Sequence, residues 1–418
     1  DFFIWQDADS GAFLQRPEVI TPTRGFRFNL DPWVSFYDKH NNQHELNSRF
    51  YKVYNRFKND PDKNNGSDMY FAEYRYHRTF LQNLNLTAGL SALYGVTNAE
   101  LYGDHYNSTL GTYAQVDYEF FNRLSATAGF RYEWYTLDEK EQETSKVFRA
   151  GLNYELTPQT YFRASFGQGY RFPSIAEKYT ATTLGTLKIF PNPDLNSEKG
   201  WSAEVGVKQG IKPGDWNGYI DIAGFWMEYR DMIEFVFGAW PDDSTQIPTI
   251  DDVGSRSLNL GEARINGFEI GLTGTGKVRN LPLTLFAGYT YMNPVDLSSD
   301  SADNMLKYRY NHSFKGDAEL SVGKFSVGIT LLYNSFMERI DEAFEEPIFG
   351  LEIFPGLKTY RQENNRGFFV TDIRVLYRVT ASVRFSLLLK NLLNEEYMGR
   401  PGDLQPPVNL SVQAVINI

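Results

Sequence analysis

The chain contains no cysteine. That excludes a disulfide framework, a thiolate metal site and a cysteine nucleophile. It also contains no run of roughly 18 apolar residues, so no membrane-spanning helix is encoded. Histidine is scarce, with five in 418 residues, at His40, His44, His77, His105 and His312. The short catalytic and nucleotide-binding signatures are missing too. There is no G-x-S-x-G elbow, H-E-x-x-H pair, P-loop or Rossmann glycine motif. His312 and Ser313 are adjacent, but neighbours in a strand point to opposite faces. The sequence therefore describes a protein that is not an enzyme and needs no cofactor. Basic excess is absent as well: the net charge of -11 argues against a nucleic-acid partner. The first residues, DFFIWQDADSG, include neither an initiator Met nor a signal peptide, so the reading expects further sequence upstream.

Aromatic residues, by contrast, are abundant: 27 Tyr, 32 Phe and 7 Trp. Yet mean hydropathy is only -0.44. This combination suits a transmembrane β-barrel, in which alternate residues face lipid and aromatic belts mark both interfaces. The competing assignment is a soluble propeller or sandwich.

Period-2 alternation runs through most of the chain. Val408, Leu410, Val412, Ala414, Ile416 and Ile418 alternate with Asn409, Ser411, Gln413, Val415 and Asn417 up to the last residue. Phe369, Thr371, Ile373, Val375, Tyr377 and Val379 oppose Asp372, Arg374 and Arg378. Ala381–Lys390 and Phe148–Leu156 behave alike. Arg on the lipid face at Val412 should cost about 2–4 kcal/mol if the position is near the midplane, and Arg at Gln413 should cost little. Tight turns such as Phe121–Arg123, Lys212–Asp215 and Gly323–Lys324 alternate with long loops. The long ones include Lys58–Ser67, Thr97–Ser108, Arg171–Ser197, Phe237–Arg256, Asn293–Leu306, Glu338–Arg366 and Asn394–Gln405. Short periplasmic turns and long extracellular loops are the habit of outer-membrane barrels.

The reading gives an all-β, antiparallel transmembrane β-barrel with about 17 strands in this chain. Arg24–Asp38 is its first complete strand, with a bulge expected at Pro32. The last strand should pair with Ala381–Leu392 and end in the periplasm. Single-chain bacterial barrels have even strand numbers, so an odd number should lie upstream. Residues 1–418 then form the C-terminal portion of one barrel domain.

Four segments carry a family resemblance. Gly169-Tyr170-Arg171-Phe172-Pro173-Ser174-Ile175-Ala176-Glu177 resembles the "FRAPS-E" box of TonB-dependent outer-membrane receptors. Pro191-Asn192-Pro193-Asp194-Leu195-Asn196-Ser197-Glu198 resembles their "NPDL-PE" box. Asn391-Leu392-Leu393-Asn394-Glu395-Glu396-Tyr397, followed by Pro401-Gly402, resembles the "NLFN-KY…PG" stretch, and Arg264–Glu269 the "V-GFE" strand start. Order and spacing make the set specific over about half the chain. Asp7–Asp31 resembles Bacteroidetes members. The resemblance implies a barrel of about 22 strands around an N-terminal plug. It implies an outer-membrane location and energised import of a scarce small-molecule nutrient, a ferric siderophore or similar chelate. TonB would act through the plug, which with the first strands is absent from this sequence. A passive porin-like channel, or an importer of cobalamin, oligosaccharide or peptide with a surface lipoprotein, are the alternatives. The family commonly ends in an aromatic residue, where this chain has Ile418.

On this reading membrane lipid surrounds the wall and the ligand binds extracellular loops. The candidates there are Tyr179, Phe190, Trp240, Asp242, Asp243, Phe344, Glu345 and Glu346. Acids in Glu338–Arg366 could receive a cationic or metal-chelate ligand, although a solvated acidic loop explains them as well. Haem is disfavoured, because Arg171–Glu198 contains no His where haem receptors of the family place one. His40 and His44 belong to a solvated periplasmic turn. Arg149, Arg163, Arg374, Arg378, Arg384 and Lys390 point inward, as partners for the plug or for wall acids such as Asp372, Glu319 and Glu155. No metal ligand set is assigned.

Overall fold

The structure is a computed structural model. It describes all residues except 1–4, 10, 18–21, 82, 185–186, 242–244, 246, 300–303, 349, 351 and 418. Asp242, Asp243, Phe349 and Ile418 therefore lie outside the described residues. Alternation of apolar and polar residues turns nearly the whole chain into strand. Of the 22 strands among the described residues, four short ones lie in loops, and Thr23–Leu30 with Trp33–Tyr37 form one interrupted strand. That leaves seventeen wall strands, each paired antiparallel to its neighbour in chain order, from Thr23–Tyr37 to Asn409–Ile416. Among the described residues no helix is long and apolar enough to cross a membrane.

One face of this sheet is continuous and apolar. Register carries it from Phe26 and Leu30 through Tyr54 and Phe50 to Tyr70, Tyr94 and Leu90. At the far margin it passes from Ile329 to Ile373, Leu389 and Leu410. These side chains are exposed or half-exposed, with Leu410 at 60% and Val412 at 72%. The opposite face carries Glu73, Arg75, Arg131, Arg163, Asp221, Asp317 and Arg374, joined in ion pairs. An apolar outside and a charged inside are the two faces of a transmembrane β-barrel wall. The face assignments read from the alternation, Val412 outward and Gln413 inward included, hold in the register of the last strand against Val383–Lys390.

The two kinds of connection separate to the two ends. Residues 38–42, 81–83, 121–123, 158–159, 212–216, 279–280, 323–324 and 379–382 turn tightly at one end. Gly323 does so with φ +62°, in the left-handed region that glycine enters without cost. The opposite end carries the other connections, the largest spanning 172–197, 297–311, 335–367 and 391–408. Several expected loops are shorter than the sequence suggested. Strands Asn65–Phe80, Leu84–Ala99 and His105–Phe120 run on past the apolar band, because polar residues there keep pairing outside the membrane.

Two further expectations need correction. Pro32 makes no bulge: Leu30 faces Phe50 and Trp33 faces Asn47, so the register is unbroken. Proline lacks an N–H, but its carbonyl still accepts from Ser48 N at 3.0 Å, which keeps the strands aligned. His44 is not part of a solvated turn. Its side chain is 19% exposed, stacked 4.8 Å from Phe36, and bonded through Nδ1 to the Tyr74 hydroxyl at 2.7 Å.

The segment ahead of the first wall strand packs against the loops that join the last ones. Trp5, ahead of the first wall strand, is 0% exposed among Met337, Ile340, Ile353, Phe354, Leu357 and Leu404. Its indole N–H donates to the Pro355 carbonyl at 3.1 Å, and its ring meets Tyr360 edge-on at 5.6 Å.

Candidate functional site

The wall beneath the loops is built from arginines straddled by two carboxylates. Arg163 donates to Glu204 at 2.8 Å and to Asp221 at 2.6 Å. Arg374 donates to Glu319 at 2.9 Å and to Asp317 at 2.7 and 2.8 Å. Such charge-assisted pairs form across strands because alternation places all members on one face. Arg149 bonds to Gln115 and lines an inner groove of about 620 Å³ with Glu45, Glu73, Arg75, Tyr113 and Arg131. Arg378 and Arg384 lie on the inner face without a wall carboxylate. They face each other across their strands at the tight-turn end, both exposed, with no acidic partner among the described residues. Lys390 is likewise exposed. Asp372 is not their counter-ion, since its carboxylate accepts the Asn391 N–H at 2.8 Å. Replacing Arg163 by Gln should destabilise the wall by about 1–3 kcal/mol, because two carboxylates lose a shared partner. Urea unfolding checks this, and adding Asp221→Asn should recover part of the loss.

At the loop end the expected residues fall into three groups. Tyr179 closes the helix Ile175–Tyr179 and stacks on His105 at 4.0 Å. His105 in turn lies between the Asp138 carboxylate at 2.6 Å and the Tyr102 carbonyl at 2.8 Å, so three connections meet there. Trp240 donates from Nε1 to the Gly254 carbonyl at 3.0 Å, and Arg256 lies over its ring at 5.7 Å. Phe190 ends the strand Leu187–Phe190, which pairs in parallel with Val253–Val278. Phe344 meets Phe354 edge-on at 5.1 Å and Phe237 at 6.2 Å. The structure does not bring Tyr179 together with Phe344.

The acids Glu345 and Glu346 are already partnered, by Arg361 at 2.8 Å and by Lys358. These two acids are thus neutralised from within the loop. Its Glu352 carboxylate accepts the Gly356 N–H, and the buried Asp341 takes Lys307 and the Tyr308 hydroxyl, the latter at 2.5 Å.

A cavity of about 650 Å³ lies where these loops converge. Phe235, Tyr308, Tyr310, Met337, Phe344 and Phe354 give it an apolar lining. Lys188, Glu234, Arg309, Asp341, Arg400 and Asp403 supply charge. Burial pushes the Glu234 carboxyl above its usual range, against the opposing pull of Arg309 at 3.3 Å. Burial, then the adjacent Asp341, pushes the Tyr308 hydroxyl far up, so it stays a donor. Tyr308 holds φ +61°, unusual for a bulky residue, and is kept there by its N–H to the Arg339 carbonyl at 2.8 Å. Sequence reading missed Tyr308, Arg309 and Glu234. Nothing local marks them, because Arg309 and Glu234 are 75 residues apart.

The sequence boxes are the staples of this end. Ser174 and Glu177 form a capping box, and Arg171 donates to Glu177 at 2.8 Å and to Glu198 at 3.4 Å. Burial raises the Glu177 pKa, but the Ser174 N–H and Arg171 outweigh it and the net shift is downward. Asn192 donates to the Ser257 carbonyl at 2.8 Å, and Asn196 and Asn259 bond reciprocally. Asn391 ties Glu395 and Pro406 together. At Gly267 a Cβ would sit 1.9 Å from the Tyr291 carbonyl, so only glycine fits.

Residues 5–392 match the family described as TonB dependent receptor-like, beta-barrel. A structure of a ferric enterobactin receptor mutant from Pseudomonas aeruginosa superposes with a TM-score of 0.71 at 12% identity, over 94% of this chain and 62% of that one. A copper transporter, OprC, superposes with a TM-score of 0.68 at 14% identity, over 94% of this chain and 66% of that one. The hemoglobin-haptoglobin utilization protein B of Neisseria meningitidis serogroup C is 26% identical over 102 residues, 24% of this chain and 12% of that protein. The chain thus spans less than two thirds of the length of each. Its charged inner wall, stapled loops and matched length make it a member of the TonB-dependent receptor family, contributing β-barrel wall.

Proposed function

We propose that this chain forms the wall and extracellular vestibule of an outer-membrane importer driven through TonB, carrying a scarce metal chelate rather than catalysing a reaction. The observation that carries the reading is the 650 Å³ cavity at the loop end, set above an inner wall of paired charge. Its size falls in the range of small-molecule sites, roughly 300–1,000 Å³. Aromatic walls with a few fixed charges suit a compact chelate whose metal is shielded by organic ligand. They suit a bare cation poorly, because Glu234 and Asp341 are already paired with Arg309 and Lys307. Two of the similar proteins, a copper transporter and a ferric enterobactin receptor, support a metal-related cargo. The family's barrels stand in the outer membrane, and the seventeen wall strands would be completed by further strands and a plug belonging to the same protein.

The test uses the whole protein in cells, with labelled ferric chelates. Uptake should stop when TonB is deleted or the proton gradient is collapsed. Uptake that persists under both conditions means a passive channel and overturns the proposal. Phe344→Ala should weaken chelate binding about tenfold, roughly 1.4 kcal/mol, read by quenching of protein fluorescence.

A further inference from the structure

The outward face of the first two wall strands carries a feature that transport does not use. Arg24 and Arg56 face each other directly across Thr23–Leu30 and Gln43–Phe57. Both are exposed, and neither has an acidic partner within 4.0 Å among the described residues. Like charges placed opposite each other in a sheet repel. Several other cations on the loop-side half of the same face are compensated, although Lys199 faces Arg230 across the strands. Lys52 pairs with Asp68 at 3.0 Å, Arg230 with Glu262 at 3.2 Å, and Arg264 lies over Trp226 at 5.1 Å.

The depth of the pair is set by the strand beneath it. Along the interrupted strand the outward residues are Phe36, Val34, Pro32, Leu30, Phe28 and Phe26, and then Arg24. From Phe36 to Phe26 is about ten residue steps. At roughly 3.3 Å each and a tilt of about 40°, they rise about 25 Å, the height of the apolar band. On the partner strand the same count from His44 ends at Tyr54, and Arg56 is the next outward residue. The outward Lys52–Asp68 pair, one outward position short of Tyr54, already marks the upper margin of the band, and both guanidinium groups emerge beyond it, among the lipid headgroups. Below them an aromatic row offers a surface for acyl chains. Phe28 and Phe50 lie 6.1 Å apart, Phe50 and Tyr70 5.1 Å, and Tyr70 and Tyr94 6.5 Å. The tight-turn connections lie at the opposite end, so the pair belongs to the leaflet on the loop side.

We infer that Arg24 and Arg56 form a docking site for the phosphate of an anionic lipid in the outer leaflet, with its acyl chains lying along Phe26, Phe28 and Phe50. Guanidinium groups bind phosphate oxygens through paired N–H donors. A single phosphate between the two would remove the repulsion and leave Lys52 and Asp68 paired. The site depends on the barrel standing in the outer membrane and not on what it imports.

The test uses the full-length protein in detergent, with lipid A as probe. Native mass spectrometry should show retained lipid A on the wild type. Arg24→Gln with Arg56→Gln should lower retention about tenfold, and Arg24→Lys with Arg56→Lys should keep part of it. Arg27→Gln, three residues along the strand on the inner face, removes one such charge and should change nothing. Lipid A should raise the melting temperature of the wild type, whereas dephosphorylated lipid A and free inorganic phosphate should not. Heat-modifiable gel migration shows that each variant is folded. Wild-type retention in the folded double Gln variant overturns the proposal. So does an equal loss in Arg27→Gln, or an equal thermal shift from inorganic phosphate alone.

Discussion

Leu410→Arg is expected to destabilise the barrel by about 2–4 kcal/mol, the cost of an arginine on the lipid face at the bilayer midplane. The register places Leu410 beside Leu389, then Ile373, then Ile329, on one outward row. Aromatic pairs bracket that row: Tyr333 with Phe369 toward the loops, Phe325 with Tyr377 toward the tight turns. Leu410 is thus nearer the middle than Val412, which shares a row with Leu387 and Val375, one outward position from Tyr377. Val412→Arg should therefore cost less than Leu410→Arg, and Ser411→Arg on the inner face should cost under about 0.5 kcal/mol. Urea unfolding of the whole protein in lipid, in order Leu410, Val412, Ser411, checks the depth as well as the facing. Equal costs at Leu410 and Ser411 would remove the distinction between lipid face and lumen.

Trp5→Ala should be the other large effect, and it should be local. The side chain is fully buried and its N–H is spent on the Pro355 carbonyl. Truncating a buried tryptophan costs about 3–5 kcal/mol, and Leu357→Ala in the same cluster about 2–5 kcal/mol. The wall strands do not touch this cluster in their apolar band, so they should keep their protection. Hydrogen exchange ought to speed up across 337–361 and around Leu404 while Val383–Lys390 stays slow. A uniform rise along the chain would show that the loop core and the wall are one cooperative unit.

The wall was legible in the sequence because a bilayer imposes one rule on every strand. Phe148, Leu152 and Leu156 must face lipid, so the intervening residues could be placed without knowing any partner. The count of about 17 strands and the separation of turns from loops followed from that rule. The loop end obeys no such rule. Glu345 and Glu346 looked like free acids, because Arg361 and Lys358 lie 16 and 12 residues away within the same loop. The role of Trp5 depends on Pro355, 350 residues distant. The family boxes were visible as strings, yet what they do is hold Arg171 to Glu198 and Asn192 to Ser257, which no spacing reveals. Pro32 misled in the other direction: a missing N–H suggested an extra residue, whereas the partner strand keeps its step.

One hairpin has a mechanical consequence. Strands Asn217–Ala239 and Val253–Val278 stay paired far beyond the membrane, from Asn217 with Thr275 to Ala239 with Val253. Loop 172–197 is clipped to this hairpin through Lys188, which faces Gly254, and through Asn192. Glu234 and Phe235, on one side of the cavity, therefore stand on a stiff mast. Tyr308, Asp341 and Phe344, on the other side, belong to loop segments outside any strand, tied by scattered bonds such as Tyr308 N–H to the Arg339 carbonyl. A ligand that tightens the vestibule would draw the second side toward the first, as a jaw closes on an anvil.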